Sequence, residues 1–224
     1  MQDKFIKTVI AATASMFAVA PAQAEQGDLL VRLRAIMVAP QETHSHVMPL
    51  GDGSRVKVSN DVVPELDFTY MWTNNIGTEL ILATSKHNIS GFGAETTTAR
   101  RLGKLASTYA LPPTLILQYH FNPDGAFRPY VGAGVNYTIF YSRKPSKALE
   151  AAVGDTDVKL KNSFGYALQG GFDIPVGKRS FVNVDVKFID MDSKARLTTA
   201  GAGVLRVNSH IDPVVVGIGY GLRF

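Results

Sequence analysis

The chain has no cysteine among its 224 residues. That absence excludes disulfides and thiolate metal sites, and leaves packing and hydrogen bonding to hold the fold. Long apolar runs are missing too. Beyond the first two dozen residues no segment offers the ~20 continuous apolar residues that a spanning helix needs, so a helical membrane protein is not expected. Charge of one sign is scarce as well. With Asp3, Lys4 and Lys7 set aside in the amino-terminal segment, the basic excess is a formal +3, and the basic residues form no stripe. No zinc-finger, Walker or Rossmann pattern appears, so neither a nucleic-acid partner nor a cofactor is expected.

The two ends of the chain carry the strongest positive signals. Lys4 and Lys7 precede the apolar run from Val9 to Ala20, and Ala22-Gln23-Ala24 is a small-x-small cleavage site. Residues 1–24 therefore read as a cleaved signal peptide, and residues 25–224 as a single outer-membrane domain. The other end, Val214 to Phe224, alternates apolar residues with glycine and closes on an aromatic residue.

Between the ends, eight segments alternate with period two, at roughly 29–38, 64–72, 76–86, 107–121, 127–140, 163–174, 180–190 and 211–224. Most approach the ~9–11 residues of a tilted membrane-crossing strand. Short links rich in turn formers (73–75, 122–126, 175–179) alternate with long loops (39–63, 87–106, 141–162, 191–210). Leu66, Phe68, Tyr70 and Trp72, then Ile76, Leu80 and Leu82, then Val182, Val184, Val186 and Phe188 share one face parity. Glu65, Asp67, Glu79, Asn183, Asp185 and Lys187 share the other. In hydrocarbon every backbone group must be paired within the protein, so such strands must close on themselves. The expected fold is an all-β, eight-stranded antiparallel transmembrane barrel in the cell outer membrane, with both termini periplasmic. Aromatics near the strand ends, including Tyr119, Phe121, Tyr130, Tyr137, Phe140, Tyr141 and Phe224, fit interfacial girdles.

The interior parity collects Arg32, Arg34, Glu65, Asp67, Glu79, Arg128, Asp185 and Lys187 as a polar lumen network. Charges in so narrow a space need partners, which predicts a plugged lower lumen in place of a water pore. His44 and His46, in the first long loop, lack an accompanying carboxylate cluster and read as exposed loop residues, not metal ligands, and His87, His120 and His210 are dispersed. Ser209 and His210 are neighbours, so on a strand they point to opposite faces and make no catalytic dyad. No enzyme is expected.

Several stretches, in this order and spacing, resemble the OmpW family of small outer-membrane proteins. They are Phe68-Thr69-Tyr70-Met71 with residues 73–80, Leu111-Pro112-Pro113-Thr114-Leu115, Arg128 to Tyr137, Asp190-Met191-Asp192, and Ile211-Asp212-Pro213-Val214 with Gly219 to Phe224. The resemblance implies an eight-stranded barrel with a narrow hydrophobic channel, passive uptake of small hydrophobic molecules, and lateral exit into the membrane. A surface receptor or adhesion barrel for bacteriocin or phage is the alternative. One departure is Lys187, in Asp185-Val186-Lys187-Phe188, where a family pattern has a channel-lining aromatic. Met37, Val38, Met48, Leu50, Val62, Val63 and Leu105 are the expected channel mouth, on the resemblance and on apolar content that would otherwise face water. Pro64, lacking a backbone donor, is the expected site of a lateral opening. The expected partners are outer-membrane lipid and lipopolysaccharide, small hydrophobic solutes, and, during biogenesis, periplasmic chaperones and the barrel-assembly machinery.

Overall fold

The computed structural model describes residues 25–41, 45–48, 55–92 and 101–224. The expected signal peptide and Leu50 lie outside them. The described elements are β1 (Leu29–Ala39), β2 (Ser45–Met48), β3 (Arg55–Val58), β4 (Asp61–Met71), β5 (Ile76–Ala83), β6 (Ser85–Phe92), β7 (Arg101–Leu111), β8 (Thr114–His120), β9 (Arg128–Pro145), helix α1 (Lys147–Val153), β10 (Thr156–Leu160), β11 (Ser163–Pro175), β12 (Ser180–Ile189), β13 (Asp192–Thr199), β14 (Gly203–His210) and β15 (Val214–Arg223).

Eight of these strands form the wall. In order they are β1, β4, β5, β8, β9, β11, β12 and β15, each antiparallel to its neighbours, and the β1–β15 pairing closes the ring. Closure removes the unpaired edges that lipid could not satisfy. Alternation sorts the side chains. Leu33, Leu66, Leu80, Leu117 and Leu168 face outward, whereas their strand neighbours are buried within. Of the expected girdle aromatics, Tyr130 and Phe140 are corrections: both are buried in the interior, because they share the parity of the lumen residues.

The long loops also differ from the expectation. They are largely strands that carry the wall beyond the membrane. β3, β6, β7 and the upper part of β9 form one extension, and β10, β13, β14 and β2 form another. Period-two alternation persists there, in Val56 and Val58, Val158 and Leu160, and Leu197 and Thr199, all buried. That alternation is the signal a loop reading passes over.

Proline decides where the wall is interrupted. The β1–β4 register runs without a shift from Leu29↔Tyr70 to Val38↔Asp61, passing through Ala35↔Pro64. No gap opens at Pro64, because neighbouring residues keep the ladder in register around it. On the opposite side, β5–β8 pairing ends at Ile81↔Thr114 and β6–β7 pairing begins at Ser85↔Ala110. Residues 82–84 thus face residues 111–113 without ladder pairs, and Pro112 and Pro113 have no backbone donors to supply them. The far edge of this segment stays attached, since Tyr137 N donates to the Pro113 carbonyl at 3.1 Å.

Candidate functional site

The lower lumen is filled by a network of ionic and amide groups. Arg34, on β1, lies 2.8 Å from Asp67, 2.9 Å from Glu79 and 2.9 Å from Asp185. Its Nε lies 2.8 Å from Glu65 Oε1 without hydrogen-bond geometry. One turn of the pleat away, Arg32 contacts Asp67 at 3.0 Å, and Glu79 and Asp173 at 3.3 Å each. Its guanidinium also sits over the rings of Tyr130 and Phe181. Lys187 Nζ donates to Glu65 at 2.7 Å and Asp185 at 2.9 Å. Amides fill in the remainder: Gln118 bridges Glu79 and Gln169, and Gln169 donates to Asp185.

Glycine makes room for this cluster. Arg34 pairs across the sheet with Gly219, where an added Cβ would lie 2.5 Å from the arginine Cγ; a Cβ on Gly217 would lie 2.6 Å from Asp185 Oδ1. An interior of eight strands is only just wide enough for side chains, so long charged residues on one strand require glycine on the next.

Above the plug the character reverses. An apolar cavity is lined by Ile36, Val38, Ile81, Ala110, Phe140, Ile189 and Val215, among others. Its upper walls come from the two extensions, through Val56, Val58, Leu160, Leu197 and Val207. Glu65 and Lys187 reach it from the plug below. Lys187 therefore does not charge an open channel. Two carboxylates hold its ammonium at the boundary between plug and cavity. Ala83 and Pro112, which flank the wall interruption, also line the cavity.

Of the expected network residues, Arg32, Arg34, Glu65, Asp67, Glu79, Asp185 and Lys187 meet in the plug. Arg128 is buried but stands apart, its Nε donating to the Gly125 carbonyl at 3.0 Å. Thr69, Gln118, Gln169 and Asp173 belong to the plug and were not singled out, although their parity would have placed them there. Of the expected mouth residues, Val38, Val63 and Leu105 pack in or against the interior apolar cluster. Met37 and Val62 do not. They are 44 % and 69 % exposed on the outer surface, because each adjoins an inward residue and consecutive strand residues cannot share a face. Met48 lies on β2, paired with Arg206. His87 and His120 are buried inside the barrel.

The comparisons agree with this architecture. The model of the OmpW family matches residues 25–224. An uncharacterized outer-membrane protein, y4mB, of Sinorhizobium fredii is 38 % identical over 195 residues, covering 87 % of this chain and 79 % of the relative. Outer membrane protein W of Escherichia coli is 36 % identical over 202 residues, covering 89 % and 90 %. The crystal structure of the outer membrane protein OprG from Pseudomonas aeruginosa superposes with a TM-score of 0.83 at 30 % identity, covering 91 % of this chain and 99 % of that one.

Proposed function

From the chain's membership of the OmpW family of outer-membrane barrels, which are not enzymes, we propose that it passes small hydrophobic molecules passively from the cell surface into the membrane. One observation carries the reading: an apolar cavity in the outer half of the barrel stands on a closed, ion-paired floor. A solute that enters between the extensions finds a matching surface and no water-filled way down. Going straight through would mean separating the buried Arg34 from its carboxylates, at several kcal/mol for each pair broken (about 3–5). Sideways, the barrier is a wall already lacking ladder hydrogen bonds between residues 82–84 and 111–113, with hydrocarbon beyond it. The exit assigned to Pro64 from sequence therefore moves to Pro112 and Pro113.

No nucleotide or energy-coupling motif is present in the sequence, so transport runs down its gradient. Membrane lipid surrounds the leucine- and valine-rich wall. Lipopolysaccharide, periplasmic chaperones and the barrel-assembly machinery are the further partners proposed.

The test is uptake of a labelled apolar solute by cells with and without the protein, extended to a disulfide across the interruption. With Ala83→Cys and Pro112→Cys oxidised, uptake should fall to the level of cells lacking the protein, and reduction should restore it. A disulfide across the intact, lipid-facing pair Leu33↔Leu66 should change nothing. Uptake equal in cells with and without the protein removes the transport reading and leaves the receptor reading. Uptake that survives the 83–112 crosslink removes the lateral route.

A further inference from the structure

The cavity is apolar, but the polar groups along its β6–β8 wall share one property. Their hydrogens are already spent. Ser85 and His87 lie two apart on β6 and so face the same way; they are 5 % and 7 % exposed and both line the cavity. His87 Nδ1 sits 2.8 Å from the Ser59 carbonyl oxygen, and its Nε2 sits 2.8 Å from Ser85 Oγ. A carbonyl oxygen only accepts, so in the neutral ring Nδ1 carries the proton and Nε2 is the acceptor. The Ser85 hydroxyl must then donate to Nε2, and what it presents to the cavity is lone pairs.

The same holds along this wall. Thr108 Oγ1 donates to the Tyr141 carbonyl at 3.2 Å, and Thr114 Oγ1 donates to the Pro112 carbonyl at 2.9 Å. Both line the cavity, and both stand beside the interruption. A solute carrying a hydrogen-bond donor therefore meets acceptors here, whereas one carrying only acceptors meets lone pairs facing its own. Leaving a polar group unpaired in such a space costs more than pairing it gains.

The geometry points to solutes that are apolar bodies with a single hydroxyl or amine donor, held by Ser85 next to the wall interruption. This inference rests on the cavity's being the solute site, and the experiment separates the two. The full chain is placed in lipid discs, and binding beyond that of empty discs is measured by equilibrium dialysis. The probes are two similar ligands: 2-naphthol, which donates, and 2-methoxynaphthalene, which only accepts.

The wild-type chain should favour 2-naphthol by about fivefold, the worth of one net hydrogen bond. Removing both groups, by Ser85→Ala with His87→Leu, should lower the ratio toward one, leaving only what Thr108 and Thr114 supply. His87→Leu alone frees the Ser85 hydrogen to donate, and should raise binding of 2-methoxynaphthalene relative to 2-naphthol. Heat-modifiable migration verifies that each variant is a folded barrel. Equal binding of the two probes by the wild-type chain overturns the donor preference alone. A preference kept by the double variant, or lost only on Ser193→Ala across the cavity, also overturns it. Binding of neither probe above empty discs overturns the cavity reading with it.

Discussion

The plug is unbalanced, and that imbalance gives its mutational response a sign. Among the described residues, three cations (Arg32, Arg34 and Lys187) face five carboxylates (Glu65, Asp67, Glu79, Asp173 and Asp185). Removing a cation should therefore hurt more than removing a carboxylate. Arg34 is the sharpest case, since it is fully buried and within 2.9 Å of four carboxylate groups. Arg34→Met keeps most of the aliphatic volume but leaves those buried groups facing one another. Breaking one such pair costs about 3–5 kcal/mol, and here several partners are orphaned together, so the loss should lie at or above the upper end. Glu79→Gln removes one negative charge from the excess and keeps the shape. It weakens the contacts of Glu79 Oε1 with Arg32 and Arg34, which keep their other carboxylates, and disturbs the geometry with Gln118, whose Nε2 donates to Glu79 Oε2 at 2.8 Å, the latter worth about 1 kcal/mol. Glu150, in the first turn of α1 outside the barrel, serves as a control, and Glu150→Gln should stay within about 0.5 kcal/mol. Urea unfolding of the refolded protein in lipid vesicles, followed by Trp72 fluorescence, measures all three. The reasoning fails if Glu79→Gln costs as much as Arg34→Met, or if both match the control.

Two further expectations follow from packing. Gly219→Ala drives a methyl group against Arg34 and should lower unfolding stability by about 1–3 kcal/mol; a change below that range would mean that the plug is loosely packed. Ala110→Phe fills the cavity beside the interruption, and should reduce uptake of an apolar solute several-fold while heat-modifiable migration is retained. Unaltered uptake would place the solute elsewhere.

Much of this architecture is legible in the chain because it depends on period two. Alternation in residues 64–72, 76–86 and 180–190 fixes which side chains meet lipid and which meet the lumen. A lipid-facing wall cannot leave edges, so closure follows from the same pattern. The charged lumen set follows from that parity alone. Met37 and Val62 belong to the outer face by the same parity, although their hydrophobicity alone points to the mouth.

The tertiary structure decided what depends on distant strands. Arg34 lies near Glu65 and Asp67 on the adjacent strand, which hairpin pairing could suggest. Its contacts with Glu79 and Asp185, and those of Arg32 with Asp173, form only when strands remote in sequence converge across the closed lumen. The wall interruption has the same character. Pro64 and Pro112-Pro113 look alike as breakers, and each removes backbone donors. At Pro64 the surrounding register carries the ladder through. At Pro112 and Pro113 two consecutive donors are missing opposite a strand that changes partners there, from β8 to β7. A chain states which donors it lacks. Whether their absence opens a wall depends on what the neighbouring strand can still pair with.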